Sequence, residues 1–88
     1  MWKKLDIKAS EQMSRLIGEP LLVECLTSNS SKYYIAGYLM QGDRYYYLVD
    51  RFTGMMKDLY PTCQFRYVRI AELDEMAQRQ TEKELLKY

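Results

Sequence analysis

Tyr33-Tyr34-Ile35-Ala36-Gly37-Tyr38-Leu39-Met40 runs into Gln41-Gly42-Asp43-Arg44 and out again through Tyr45-Tyr46-Tyr47-Leu48-Val49-Asp50. Aromatic and branched side chains suit the pleated, half-buried surface of a strand, so the two flanks predict strands over 33–40 and 45–50. Gly-Asp supplies the unusual backbone dihedrals of a tight connection, which makes the pair an antiparallel hairpin. Gly37, inside the first strand, marks a bend, a bulge or a close backbone approach. Within the second, Tyr46 must face opposite to Tyr45 and Tyr47, because side chains alternate along a strand. One aromatic face of the hairpin is therefore expected to be exposed.

Working outward from the hairpin, Leu21, Val23 and Cys25 interleave with Leu22, Glu24 and Leu26. A strand over 21–27 that is apolar on nearly both faces belongs in the middle of a sheet. The polar run from Thr27 to Lys32 is an exposed loop. On the other side, Arg51-Phe52-Thr53-Gly54 reads as a turn, 55–60 as a fourth strand stopped by Pro61, and 64–70 as a fifth. Ala9, Met13, Leu16 and Ile17 share one stripe at helical spacing, predicting a helix over about 6–17. Asp6 or Ser10 would cap it, and Gly18 and Pro20 would end it. Leu73, Met76, Ala77 and Gln80 return to that spacing, predicting a charged surface helix over about 71–86. The expected fold is α+β in a single domain, 1–88: five short antiparallel strands forming a small barrel or strongly bent sheet, flanked by an N-terminal and a C-terminal helix. Its fourth and fifth strands are the expected edges.

The 88 residues are 48% hydrophobic and 28% charged, a globular balance. A net charge of +1 gives no overall field to attract a polyanion. The chain contains no histidine, which removes the commonest general base and a frequent metal ligand. Cys25 and Cys63 sit in apolar stretches without metal or redox spacing, and read as free, inert thiols. Glu24, Asp43, Asp50 and Asp58 stand singly, with no spacing that argues for an acid and base pair. No catalytic residue, metal site or cofactor is expected. Neither a signal peptide nor a membrane span is legible, which with the free thiols predicts a cytoplasmic protein with no membrane partner.

The nine tyrosines are the most unusual feature of the composition. Each offers a flat apolar face and a hydroxyl, a combination that serves protein interfaces and single-stranded nucleic acid alike.

LIGEPLLVECL and GYLMQGDRYYYLVD resemble the Sm and Sm-like family of small RNA-binding barrels over residues 13–50. Leu16, Ile17, Gly18, Pro20, Val23 and Leu26 match that family's helix end and first strand. Gly37, Leu39, Asp43, Tyr45 and Leu48 match its second and third strands. The resemblance implies an Sm-like or SH3-like barrel in which Asp43 orients the turn and Tyr45 stacks on a base. This chain carries Tyr47 where the family has the base-bonding Asn. Its FRYVRIAEL stretch lacks the family's Arg-Gly or Lys-His pair.

The residues thus point first to a non-catalytic module that binds a protein partner or itself, as a homo-oligomer, through the tyrosine-rich hairpin. The alternative is an Sm-like protein binding single-stranded RNA. The candidate binding residues under the two readings are Asp43, Tyr45, Tyr47, Arg66 and Arg69. Arg66 and Arg69 fall on opposite faces of the fifth strand, so loops would have to bring them to one ligand.

Overall fold

The computed structural model describes residues 2–73. The strands are β1 (Lys3–Leu5), β2 (Pro20–Leu26), β3 (Lys32–Gln41), β4 (Tyr46–Asp50), β5 (Met56–Asp58) and β6 (Gln64–Arg69). One helix, α1 (Ser10–Leu16), lies between β1 and β2, and a 3-10 turn spans Ile70–Glu72. All six strands pair antiparallel in one sheet of order β1-β6-β2-β3-β4-β5.

This corrects the expected five-stranded barrel between two helices. The sheet is open, since it ends at β1 and β5 and no ladder joins them. It has a sixth strand, β1, where the sequence suggested only the approach to a helix. Three residues, of which Lys3 and Lys4 are exposed, cannot display a period; β1 exists because it pairs with β6 through Lys3↔Tyr67, Lys4↔Arg66 and Leu5↔Phe65. That pairing also moves an edge. Of the two expected edge strands only the fourth, now β5, is one; the fifth, now β6, lies between β1 and β2. Where a long C-terminal helix was expected to begin, the chain makes a single 3-10 turn. The rest of that helix, from residue 74, lies outside the described residues.

The first helix is shorter than its apolar stripe suggested, and neither expected cap serves it. Asp6 accepts the Lys8 N–H at 3.0 Å, Ala9 is the N-cap, and no side chain caps the helix. Gln12 instead clips α1 to β1: its amide accepts the Asp6 N–H at 2.8 Å and donates to the Lys4 carbonyl at 3.0 Å. Gly18 then turns the chain into β2 with φ +83°, a left-handed conformation that costs glycine nothing. Its N–H donates to the Leu39 carbonyl at 2.7 Å, tying the helix end to β3.

β2 is central and buried from Leu21 to Cys25, as its two-sided apolar pattern demands. Alternation sends its residues to two faces. On the inner face Leu21, Val23 and Cys25 pack with Leu39, Leu48, Phe65 and Tyr67, under Met13 and Leu16 of α1 and beside Leu59. On the outer face Leu22, Ala36, Val68 and Ile70 form a smaller cluster flanked by Trp2, Tyr34 and Leu73. Glu24 belongs to that outer face, where the Tyr34 hydroxyl donates to it at 3.3 Å and the Lys32 ammonium stands at 4.0 Å. Those partners offset the cost of holding a carboxylate at 9% exposure.

Candidate functional site

Among the described residues, the large apolar side chains that remain exposed are Tyr38, Tyr45, Phe52, Met55, Met56 and Tyr60. All six belong to β3, β4, β5 and the turns beside them. Tyr38 lies opposite Pro20 and Val49, and Val49 lies opposite Met56, so one outer-face row runs Pro20, Tyr38, Val49, Met56 out to the edge of the sheet. Met55 and Met56 are each 71% exposed. Met55 precedes β5 and Met56 opens it.

The turns hold the remaining aromatics in place. Asp50 accepts the Phe52 and Thr53 N–H groups at 2.8 and 3.1 Å, which closes the 51–54 turn and leaves Phe52 at its tip under the Arg51 guanidinium. Leu59, buried in the inner core, donates its N–H to the Tyr46 carbonyl at 2.8 Å and fixes the chain as it leaves β5. Tyr60 is thereby set edge-on to Tyr45, with ring centroids 5.2 Å apart.

Among the described residues β5 has no strand on its outer side, and its hydrogen-bonding pattern is definite. Asp50 N–H donates to Met55 C=O and Leu59 N–H to Tyr46 C=O, both at 2.8 Å. Antiparallel ladders alternate, so Met55, Lys57 and Leu59 turn their backbone groups toward β4 while Met56 and Asp58 turn theirs outward. The opposite edge carries more charge of one sign. β1 presents Lys3 and Lys4, and Lys3 reaches Glu72 at 3.4 Å. Lysines on an edge discourage pairing with another strand.

Among the residues the sequence singled out, Asp43 and Tyr45 lie in the exposed β3–β4 turn and Tyr47 is half-buried in β4, opposite Met40 and Asp58. Tyr45 and Tyr47 do not form one platform, because Tyr45 precedes the strand and leans toward Tyr60. Tyr46 turns inward against the core. Arg66 and Arg69 are elsewhere, on β6, with β2 and β3 between them and the hairpin. Arg66 lies on the outer face beneath Trp2, its guanidinium 5.5 Å from the ring centre, and stands opposite Glu24 and Lys4. Arg69 lies on the inner side near Arg15 of α1, with its Nε buried and unbonded. The structure therefore brings Asp43 and Tyr45 together, places Tyr47 nearby, and separates both arginines from them and from each other.

Tyr38, Phe52, Met55, Met56 and Tyr60 were not singled out by the sequence. The Met55-Met56 pair was the available signal, since an apolar pair just after a turn glycine cannot bury both members in an edge strand.

Charge around this surface is balanced: over residues 42–60, Asp43, Asp50 and Asp58 stand beside Arg44, Arg51 and Lys57. Recesses of about 250, 390 and 220 Å³ occur at the β1–β6–β2 end, along α1, and beneath β1, and none is lined by a residue of 42–60. Among the described residues no group of three or more His, Cys, Asp or Glu comes together to hold a metal ion, and no helix is long and apolar enough to cross a membrane.

Both cysteines are free, Cys25 buried and Cys63 only half-buried, the latter less enclosed than its apolar neighbours in sequence suggested. Burial pushes the Cys25 thiol up to about 11, against a smaller opposing effect from a hydrogen bond with Tyr33. Burial raises the Tyr33 hydroxyl as well. Neither is poised as a nucleophile. No family model matches the chain, nor does any curated protein or solved structure.

Proposed function

We propose that this chain is a non-catalytic, cytoplasmic binding module that engages protein through the β3–β4–β5 end of its sheet. The observation that carries this reading is that, among the described residues, the six exposed large apolar side chains gather at that one end, beside a strand edge that no other described strand pairs with. Contiguous exposed apolar surface is costly in water and marks interaction sites. An exposed patch of Tyr, Phe and Met with little net charge suits a protein partner, which buries such side chains in pockets of its own.

An Sm-like RNA-binding protein is the alternative. Asp43 and Tyr45 sit together and exposed, as base contacts would require, but the arginines that would add phosphate contacts lie across the sheet. The balanced charge of residues 42–60 favours protein over polyanion.

The test is a pull-down from native lysate with the wild-type chain and a Tyr38→Glu/Met56→Glu variant, analysing bound protein and nucleic acid at low and high salt. Specific protein recovered by the wild type, lost with the variant and retained at high salt, is the expected result. Recovery unchanged by the variant overturns the surface, and bound RNA that salt removes overturns the choice of ligand.

A further inference from the structure

We infer that β5 is a self-pairing edge, and that a second copy of this chain docks on it antiparallel, with Met56 of one copy directly opposite Met56 of the other. The inference rests on reading the β3–β4–β5 end as the binding surface, and adds what covers it.

Only Met56 and Asp58 turn backbone N–H and C=O groups outward, so a hydrogen-bonded pair across the edge must be drawn from these two residues. A two-fold axis then allows three registers. Asp58 opposite Asp58 sets two carboxylates side by side. Met56 opposite Asp58 sets Lys57 against Lys57 on the inner face. Like charges directly opposite are unfavourable in a ladder. With Met56 opposite Met56, Lys57 falls opposite Met55 and no like charges face each other. This one register also joins the two outer-face rows into a continuous band: Tyr38, Val49 and Met56 of one copy meet Met56, Val49 and Tyr38 of the other. Phe52 and Tyr60 stand four residues to either side of Met56, so the exposed Tyr60 of each copy approaches the turn carrying Phe52 of the other. A two-fold interface has to be self-complementary in this way. At the β1 edge, which carries the exposed Lys3 and Lys4, Gln12 already bonds the Lys4 carbonyl and the Asp6 N–H.

The test uses the purified full chain in sedimentation velocity over a wide micromolar range, with three variants. Met56→Pro removes the outward N–H, which no bond among the described residues uses; Met56→Lys places like charges on the axis. Both are expected to be monomeric, with circular dichroism unchanged, where the wild type dimerises. In a Cys63→Ser background, Met56→Cys should crosslink rapidly to itself under mild oxidation while Asp58→Cys does so at least tenfold more slowly, because a directly opposite pair has the Cα separation a disulfide needs. Wild-type monomer at every concentration overturns the inference, and so does a dimer that survives Met56→Lys, or preferential crosslinking through residue 58. The crosslinking variants keep the test decisive should the proline variant misfold. Failure here is distinct from failure of the binding-module reading, which stands or falls on the pull-down.

Discussion

At Gly37 the backbone of β4 comes so close that a Cβ would lie 2.3 Å from the Val49 carbonyl oxygen. Of the three roles the sequence allowed for this glycine, close backbone approach is the one that occurs. Gly37→Ala is expected to force β3 and β4 apart and cost about 3 kcal/mol, a value in the range for overpacked sites, measurable by chemical denaturation. Leu39, two residues on and fully buried, should lose a similar amount on truncation to Ala, about 3 kcal/mol, through lost burial and the cavity left behind. Cys25 makes a pH prediction. Its thiol is raised from 9.0 to about 11 on folding, so the folded state disfavours the thiolate relative to the unfolded chain. Stability from this group is fully present below about pH 9 and is lost as pH rises from there toward 11. Denaturant midpoints should be flat through neutrality on this account and fall above pH 9, with Cys25→Ala removing part of the fall. Native labelling by a thiol reagent should reach half-buried Cys63 well before Cys25.

At the scale of elements, the hairpin was legible because its turn and strands carry local signals, while β1 was not. A three-residue strand bearing two lysines has no pattern of its own and is defined by its partner, β6. Gln12 is the residue that fastens this strand to α1, through two hydrogen bonds that no helical period foretells. Gln12→Ala should cost about 1 kcal/mol, as exposed hydrogen bonds contribute modestly. Amide exchange should accelerate in β1 and the start of α1 ahead of the rest of the sheet. The tyrosine run divides in a way that only the turn decides. Because β4 begins at Tyr46, Tyr45 stays in the turn and pairs with Tyr60, so the two-residue alternation extends only from Tyr46 onward. Tyr45→Ala is accordingly expected to change stability by less than about 1 kcal/mol, the order of a single aromatic pair, while weakening any complex formed at this end.

Over the whole molecule, the order β1-β6-β2-β3-β4-β5 sets which residues can act together. It leaves β5, with Met56, Lys57 and Asp58, at one edge and β1, with Lys3 and Lys4, at the other, and it places Arg66 and Arg69 far along the sheet from Asp43 and Tyr45. Binding at the β5 end should therefore vary little with ionic strength, since residues 42–60 balance three acids against three bases. Affinity measured at low and high salt checks this, and a steep loss would point to phosphate contacts instead. What the sequence determined by itself is local: a central strand apolar on both faces, a tight hairpin, a helix ended by glycine, and a core alternating along each strand. These follow from side-chain period and backbone preference, which act over a few residues. Which strand lies beside which, whether the sheet closes, and which tyrosines and methionines remain in water were decided only in the tertiary structure. The place of β6 inside the sheet depends on β1 pairing with it from the far end of the described chain, and a contact between segments some sixty residues apart leaves no period in either of them.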